Sequence, residues 1–137
     1  MPAKHNIDDS NKIIVTTWEG DTVDRDFVQA LTSYLENIKS QSQYLHYNEL
    51  LDFRNLDIIN LSTSGIRQLA EIAACHDHQH LKTRLAIVVN SMLAFGLARM
   101  YQTYRSLVSK SSKELQLFRS IDEAQAWLSQ SSASKTG

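Results

Sequence analysis

Hydrophobic residues along the chain alternate between two periods, and the places where the period changes divide the sequence into strands and helices. Residues 12–18 are rich in β-branched side chains, whose stiffness favours a strand. Turn-forming residues at 8–11 separate this strand from a short extended piece at 3–7. The N-terminal region is therefore predicted to be a β-hairpin.

Four later segments repeat apolar residues every three to four positions, which predicts amphipathic helices with one buried face each. The chain is expected to turn at Gly20 and to enter the first helix at Thr22 or Asp24, since either side chain can cap it. Ser91 is a suitable N-cap for the third helix, and Ser120 begins a capping box before the fourth. The four predicted buried stripes are Phe27, Ala30, Leu31, Tyr34, Leu35 and Ile38; Ile66, Leu69, Ala70 and Ala73; Leu93, Leu97, Met100, Tyr101, Tyr104 and Val108; and Ala124, Trp127 and Leu128.

Three more strands are predicted between these helices. Residues 44–53 are predicted to become extended and to form a strand that enters the sheet interior. Residues 55–61 are expected to be a connector. The continuous apolar run at 85–89 predicts a strand covered on both faces, at the centre of the sheet. Leu115 and Leu117 alternate with polar residues, as in a half-buried edge strand. Strands that alternate with helices through short connections predict an α/β fold with a mostly parallel sheet.

Length, charge and cysteine content narrow the class of protein. A chain of 137 residues is expected to form a single domain, here residues 1–128, followed by a small, polar and flexible tail at 129–137. The net charge of -1 provides no basic field for nucleic acid. The chain start has no apolar signal segment, no run is long enough for a membrane span, and the single cysteine suits a reducing compartment. A cytoplasmic location follows as the expectation.

Two sequence segments resemble a known family. Residues 50–54, followed by residues 61–65 at a helix start, resemble the STAS domain of bacterial anti-sigma factor antagonists, in which a strand leads to an Asp-Ser-Ser-Gly motif. Nearly the whole chain is similar to bacterial single-domain SpoIIAA-like proteins, also described as STAS/Sec14-like. The resemblance implies a sheet of four to five strands with an N-terminal antiparallel strand, and about four helices. The second likeness is carried by residues 51–54 and 94–101, Phe118, Arg119, Ala124, Trp127 and Leu128.

The first functional hypothesis comes from this resemblance, which implies a non-enzymatic regulatory or protein-interaction module. In the antagonists a partner kinase phosphorylates the second serine of the motif, and Ser64 stands at that position, next to Thr63 and Ser62. A phosphate there would add negative charge where a helix dipole favours it. Plain helix capping selects the same residue types, however, and Ser62 stands where the motif has Asp. The partner is either another protein or a second copy of the chain, which the two predicted sheet edges would allow.

The second hypothesis is a site for a small anionic or lipid ligand at the carboxyl ends of the strands, where ligands of parallel sheets usually bind. The alternative is structural: Asp52 pairs with Arg54 or Arg99, and Ser91 only caps a helix. The predicted site residues are Asp52, Arg54, Asn90, Ser91, Phe95 and Arg99.

A third cluster, at residues 75–80, contains side chains of the types that bind metals. On a continuing helix His76 and His80 share one face, whereas His78 points elsewhere, and a structural zinc site needs four ligands. Neither a metal nor a cofactor is predicted. Cys75 follows two alanines and is expected to be a buried, inert thiol. Without a nucleophile-and-base pattern or a phosphate-binding loop, the sequence predicts no catalytic residues.

Overall fold

Five strands and four helices make up the computed structural model, which describes residues 3–76, 82–108 and 113–130. The predicted hairpin and all four predicted helices are confirmed. Most of the predicted tail, residues 131–137, lies outside the described residues. The strands are β1 (Ala3–Asp8), β2 (Ile13–Val23), β3 (Asn48–Asn60), β4 (Arg84–Val88) and β5 (Glu114–Phe118), and the helices are α1 (Asp24–Asn37), α2 (Thr63–Cys75), α3 (Met92–Val108) and α4 (Ile121–Ser129).

The strands lie side by side in the same order as in the sequence, β1-β2-β3-β4-β5. β1 pairs with β2 in the antiparallel direction, and every other neighbouring pair is parallel. The central strand is therefore β3, not the apolar strand β4 as predicted. Every residue of β4 is nonetheless buried, because the strand is flanked by β3 and β5 and covered on both faces. β5 is an edge strand, as predicted.

β2 and β3 are both longer than their sequences suggest. Gly20 does not turn the chain out of the sheet: it has a positive φ of 77° inside β2, beside an irregularity in the pairing with β3. The predicted connector at 55–61 is mostly strand, since β3 runs to Asn60 and pairs with β2 as far as Val23. The glycine thus permits a bulge rather than a turn. β3 also starts later than predicted, because residues 42–44 form a short 3₁₀ helix before it.

At the start of each helix a side chain accepts a hydrogen bond from a backbone N–H, although the residue that does so at α1 differs from the prediction. Neither Thr22 nor Asp24 caps this helix; instead, the Asp26 carboxylate accepts a hydrogen bond of 3.1 Å from the backbone N–H of Val23. The predicted serine caps are confirmed. Ser62 caps α2, Ser91 caps α3 and Ser120 caps α4, each accepting from the N–H three residues later.

Helices cover the sheet unequally on its two faces. Of the described helices, only α4 packs on one face, where Ala124 and Leu128 pack with the strand residues Ile13 and Leu50. α1, α2 and α3 pack together on the opposite face, over the apolar groups of β2, β3 and β4. Among the described helices, none has both the length and the apolar character needed to cross a bilayer. The three-helix face holds both cavities described below.

Candidate functional site

The predicted residues at the carboxyl ends of the strands form a small polar cluster. Asp52 and Arg54 make a bidentate ion pair, with Nε–Oδ1 and Nη2–Oδ2 distances of 2.9 Å. Burial raises the pKa of the Asp52 carboxyl, but the hydrogen bonds from Arg54 outweigh it, so this pKa lies below its ordinary value. Asn90 donates to the backbone oxygen of Arg54 at 3.1 Å. The polar groups of this cluster therefore bind one another.

The other predicted residues of this site lie apart from the ion pair. Ser91 accepts from the N–H of Ala94 at 3.1 Å as a helix cap. Phe95, near the start of α3, is partly buried and packs against the core, and the guanidinium of Arg119 lies 5.1 Å from its ring centre. The side chain of Arg99 is exposed. The structural alternative, an Asp52–Arg54 pair with a serine cap, accounts for these contacts, and ligand binding at this edge stays a prediction.

At the start of α2, a carboxylate of α1 accepts hydrogen bonds from the residue that caps the helix. Asp24 accepts from the Ser62 backbone N–H at 2.8 Å and from its hydroxyl at 2.5 Å. A Cβ atom on Gly65 would lie only 2.6 Å from the Asp24 carboxylate, so glycine is needed for this close approach. Asp24 therefore brings a negative charge to the α2 N-terminus, which the helix dipole favours. The carboxylate at this helix start thus comes from α1 and not from the Ser-Thr-Ser-Gly segment.

The three candidate phosphorylation residues differ in their bonding. Ser62 is engaged twice, as a donor to Asp24 and as an acceptor from Gly65. Thr63 and Ser64 are exposed, and the Ser64 hydroxyl lies 3.4 Å from that of Ser62. Thr63 and Ser64 are thus both accessible, whereas the Ser62 hydroxyl is engaged in two hydrogen bonds. A phosphate on Ser64 would stand close to the Asp24 carboxylate, and like charges repel.

The cysteine and histidine cluster at the end of α2 lies only partly within the described residues. Cys75 is exposed, so the prediction of a buried thiol is wrong. The residue is the last one of α2. His76 Nδ1 lies 3.0 Å from the backbone oxygen of Ile72. His78 and His80 fall outside the described residues.

A cavity of about 110 Å³ lies between the sheet and the three-helix face. Its lining is almost entirely apolar and includes a tryptophan, two phenylalanines and two alanines of α3. Trp18, Phe27 and Phe53 pack against one another in tilted and edge-to-face arrangements, with ring centres 4.7 to 6.2 Å apart. The main lining residues are Trp18, Phe27, Leu56, Leu61, Leu69, Ala94, Leu97 and Ala98. We call this the apolar cavity.

A second cavity, of about 340 Å³, adjoins the first and contains charged groups. The two share the lining residues Leu31, Tyr34, Leu51 and Tyr101, so they lie end to end beneath the helices. The second cavity lies at the amino ends of β3, β4 and β5, the opposite edge of the sheet from the predicted site. Its charged lining residues are Lys39, Glu49, Arg105 and Lys113. We call it the charged cavity.

Glu49 is the centre of the hydrogen bonding in the charged cavity. Its carboxylate accepts from the Tyr34 hydroxyl at 2.6 Å and forms an ion pair with Lys113. Burial raises the pKa of Glu49, but the nearby Lys113 and Lys39 outweigh it, so the pKa lies below its ordinary value. Burial beside this carboxylate raises the pKa of the Tyr34 phenol well above its ordinary value. Glu49 is therefore ionised and Tyr34 neutral near pH 7, taking about 4 and 10 as the ordinary values.

Lys39 holds the loop that leads into β3. Its ammonium group donates to the backbone oxygens of Tyr44, Leu45 and Tyr47 at 3.0, 3.3 and 3.1 Å. Burial lowers the pKa of Lys39, although Glu49 partly opposes this shift. With these three acceptors and a nearby carboxylate, the cation is stabilised in a position that is only 9% exposed.

The residues of the charged cavity are absent from the predicted site. Glu49 could have been singled out from the sequence, because a charged residue inside a buried strand is rare unless it is paired. The sequence gives no comparable indication for Lys39 or Lys113. Lys39 follows α1 and Lys113 precedes β5, each in a polar stretch typical of an exposed loop.

Comparison with known proteins establishes the fold class. The sequential sheet, with one antiparallel pair and helices on both faces, is a SpoIIAA-like fold, as predicted. This chain is similar to a solved structure of an uncharacterised protein from the DUF3478 family of Shewanella loihica PV-4, which has that fold. The two share 20% sequence identity with a TM-score of 0.55, and the match covers 92% of this chain and 91% of that one. The sequence matches no family model and no curated protein. At this identity the likeness shows the fold alone.

Proposed function

We propose that this protein binds a small, mainly apolar molecule between its sheet and helices α1, α2 and α3, and that it does so without catalysis. The observation that carries the proposal is the pair of adjoining cavities. Protein interiors are normally close-packed, with few voids larger than a water molecule. An apolar void large enough for several atoms takes up apolar molecules rather than water. The charged cavity, at about 340 Å³, is within the size range of ligand pockets, about 300–1,000 Å³.

An unsatisfied donor at the apolar cavity also supports ligand binding. Trp18 lines this cavity, is only 5% exposed, and its indole Nε1 has no hydrogen-bond partner among the described residues. Buried donors without a partner are uncommon in folded proteins. A ligand with an oxygen near this ring would satisfy the indole N–H. The donor therefore favours an occupant that is not purely hydrocarbon.

Filling the apolar cavity should weaken binding without unfolding the protein. Ala98→Leu adds three carbons to a lining residue of α3. We expect the melting temperature to be kept or raised, since cavity-filling substitutions commonly stabilise. The affinity for decanol, measured by calorimetry, should fall by about tenfold, or 1.4 kcal/mol.

Ala126→Leu is the matched control, because Ala126 is an exposed residue of α4 on the opposite face. This variant should bind decanol as the wild type does. Equal affinity in Ala98→Leu and Ala126→Leu would contradict the proposal, and so would a wild-type protein that binds no apolar probe.

A regulatory protein-interaction role is the second candidate, favoured by the exposure of Ser64 at the N-terminus of α2. Protein isolated from its native host is expected to carry a phosphate on Ser64, seen by intact mass and located by peptide fragmentation. Ser64→Ala expressed in the same host should lack that mass. Unmodified protein under all growth conditions would contradict this role. A phosphate found instead on Thr63 would place the modification on the neighbouring hydroxyl and would also count against Ser64.

A further inference from the structure

We propose that two copies of this chain associate through the outer edge of β1, with the two strands antiparallel and with Lys4 of each copy opposite the partner's Asp8. This inference goes beyond the proposed function and does not depend on it. Its basis is the unpaired edge of β1 and the positions of two opposite charges along that strand. The two five-stranded sheets would then form one continuous sheet.

The outer edge of β1 offers backbone hydrogen-bonding groups to a partner. β1 lies at one end of the sheet, and among the described strands it pairs with β2 alone. Alternate N–H and C=O groups of an edge strand point away from the sheet, and strands of two molecules can pair through them. Charged side chains often protect natural edges from such pairing. On β1 the charges hinder pairing in some registers but favour it in one.

The side chains of β1 alternate between the two faces of the sheet. Ala3 is buried and Ile7 is half-buried, both against groups of the three-helix face. The residues that alternate with them are exposed on the other face: Lys4, Asn6 and Asp8. A two-fold axis perpendicular to the sheet keeps each face on the same side in both copies. Residues that lie opposite each other must therefore both have even numbers or both have odd numbers.

Charge selects one register from those that this alternation allows. With Asn6 on the two-fold axis, Lys4 of each copy lies opposite the partner's Asp8, so two pairs of opposite charge form across the new strand pair. Moving the register by one allowed step places either Lys4 or Asp8 opposite the partner's Asn6, and no ion pair forms. The register centred on Asn6 is therefore the favoured one.

Both charges are available to a second copy. Lys4 is exposed, and within the described part of the chain neither Lys4 nor Asp8 takes part in an ion pair. Asp8 accepts hydrogen bonds from the side-chain amide of Asn11 at 2.8 Å and from its backbone N–H at 3.1 Å. These bonds lower the pKa of Asp8, so the carboxylate is ionised near pH 7. Because both donors are neutral, the negative charge is not compensated, and each oxygen can accept a further hydrogen bond.

The opposite edge of the sheet lacks this self-complementarity. Glu114 is the only charged residue of β5, and its carboxylate lies 3.6 Å from the guanidinium of Arg84 in the same chain. With Gln116 on a two-fold axis, Glu114 would lie opposite Phe118 of the partner subunit. Pairing β5 with itself therefore brings no opposite charges together, and β1 is the better edge for a second copy.

The expected association is weak. Exposed ion pairs add little affinity and mainly determine orientation and register. Two short edge strands bury less surface than the roughly 1,200–2,000 Å² of a stable interface, so we expect a dissociation constant of about 10–100 µM. In dilute solution, as in unfolding experiments, the chain is then monomeric.

Two charge reversals test the pairing by sedimentation velocity. Lys4→Glu and Asp8→Lys each place like charges opposite one another twice per dimer, so each should raise the dissociation constant by at least about tenfold. An equimolar mixture of the two variants should associate about as tightly as the wild type, because both cross-strand pairs again have opposite charges. The matched control is Glu71→Lys on α2, an exposed charge reversal that should leave association unchanged.

Disulfide trapping tests the register. Within β1 only residue 6 would lie opposite its own counterpart, close enough for a disulfide. Asn6→Cys, in a Cys75→Ser background that removes the exposed native thiol, should therefore form a covalent dimer under mild oxidation. Lys4→Cys in the same background is the control. Its two copies would lie about 13 Å apart along the strands and should stay unlinked.

Circular dichroism confirms that each variant is folded before its association is measured. Wild-type protein that stays monomeric at about ten times the expected dissociation constant would overturn the inference. A dimer that neither charge reversal weakens would place the interface elsewhere and would overturn it too, as would folded variants whose mixture stays monomeric. If Asp8→Lys does not fold, Lys4→Glu and the disulfide trapping still decide the outcome.

Discussion

Replacing Lys39 with methionine is expected to lower the free energy of unfolding by about 3 kcal/mol. Methionine retains most of the apolar stem but cannot donate to the backbone oxygens of Tyr44, Leu45 and Tyr47. The variant also removes one of the two lysines that stabilise the buried Glu49 carboxylate. Lost hydrogen bonds from a charged group and an unbalanced buried charge both destabilise. Urea unfolding followed by circular dichroism measures the change.

Lys4→Met is the control for this prediction. Lys4 lies on the edge strand β1 and is exposed, so its replacement should change the unfolding free energy by less than about 0.5 kcal/mol. Equal effects at the two lysines would show that the carbonyl contacts of Lys39 contribute nothing to stability.

Replacing Arg84 with methionine is the second substitution with a large expected effect, again about 3 kcal/mol. Arg84 is 4% exposed, and its Nη1 donates to the backbone oxygens of Trp127 and Gln130 at 2.6 and 3.0 Å. These oxygens lie at the C-terminal end of α4 and just beyond it, where helix carbonyls lack the full set of partners found in a helix interior. The guanidinium also lies 5.2 Å from the centre of the Trp127 ring. Arg84 therefore joins the C-terminal end of α4 to the start of β4.

Arg119→Met makes a suitable comparison, because Arg119 lies over the ring of Phe95 at a similar distance of 5.1 Å but is exposed. Its loss should cost less than about 1 kcal/mol, the usual size of an exposed cation–π contact. Tryptophan fluorescence during urea unfolding follows both variants. If the two arginines proved equivalent, the stacking on the ring rather than the carbonyl contacts would account for the effect of Arg84.

Most of the fold could be predicted from the sequence because its elements are strongly patterned. The helices have apolar residues on one stripe, and the serine caps of α2, α3 and α4 mark their starts. The length of β3 could not be predicted in this way. Residues 55–60 are polar and apolar in no clear alternation, and they stay extended because β2 continues beside them. Tertiary pairing, rather than local preference, decides the conformation there.

The candidate site was much harder to predict than the fold. Its polar groups come from separate parts of the chain, with Tyr34 at the end of α1, Glu49 at the start of β3 and Lys113 before β5. Only the folded sheet brings them together. The polar residues that the sequence did single out, Asp52 and Arg54, pair with each other at the opposite edge. Spacing along the chain cannot distinguish a self-satisfied pair from a group that faces a cavity.

The strand order also bears on how the chain folds. Each strand lies next to the one that precedes it in the sequence, so every parallel pair is joined through a single intervening α-helix. Among the described strands, none has to be inserted between two strands that are already paired. The loop that must close at each step is therefore short, and closing a short loop costs little conformational entropy. The sheet can grow one unit at a time from the N-terminal hairpin, in the order in which the ribosome releases the chain, and α4 covers the second face last.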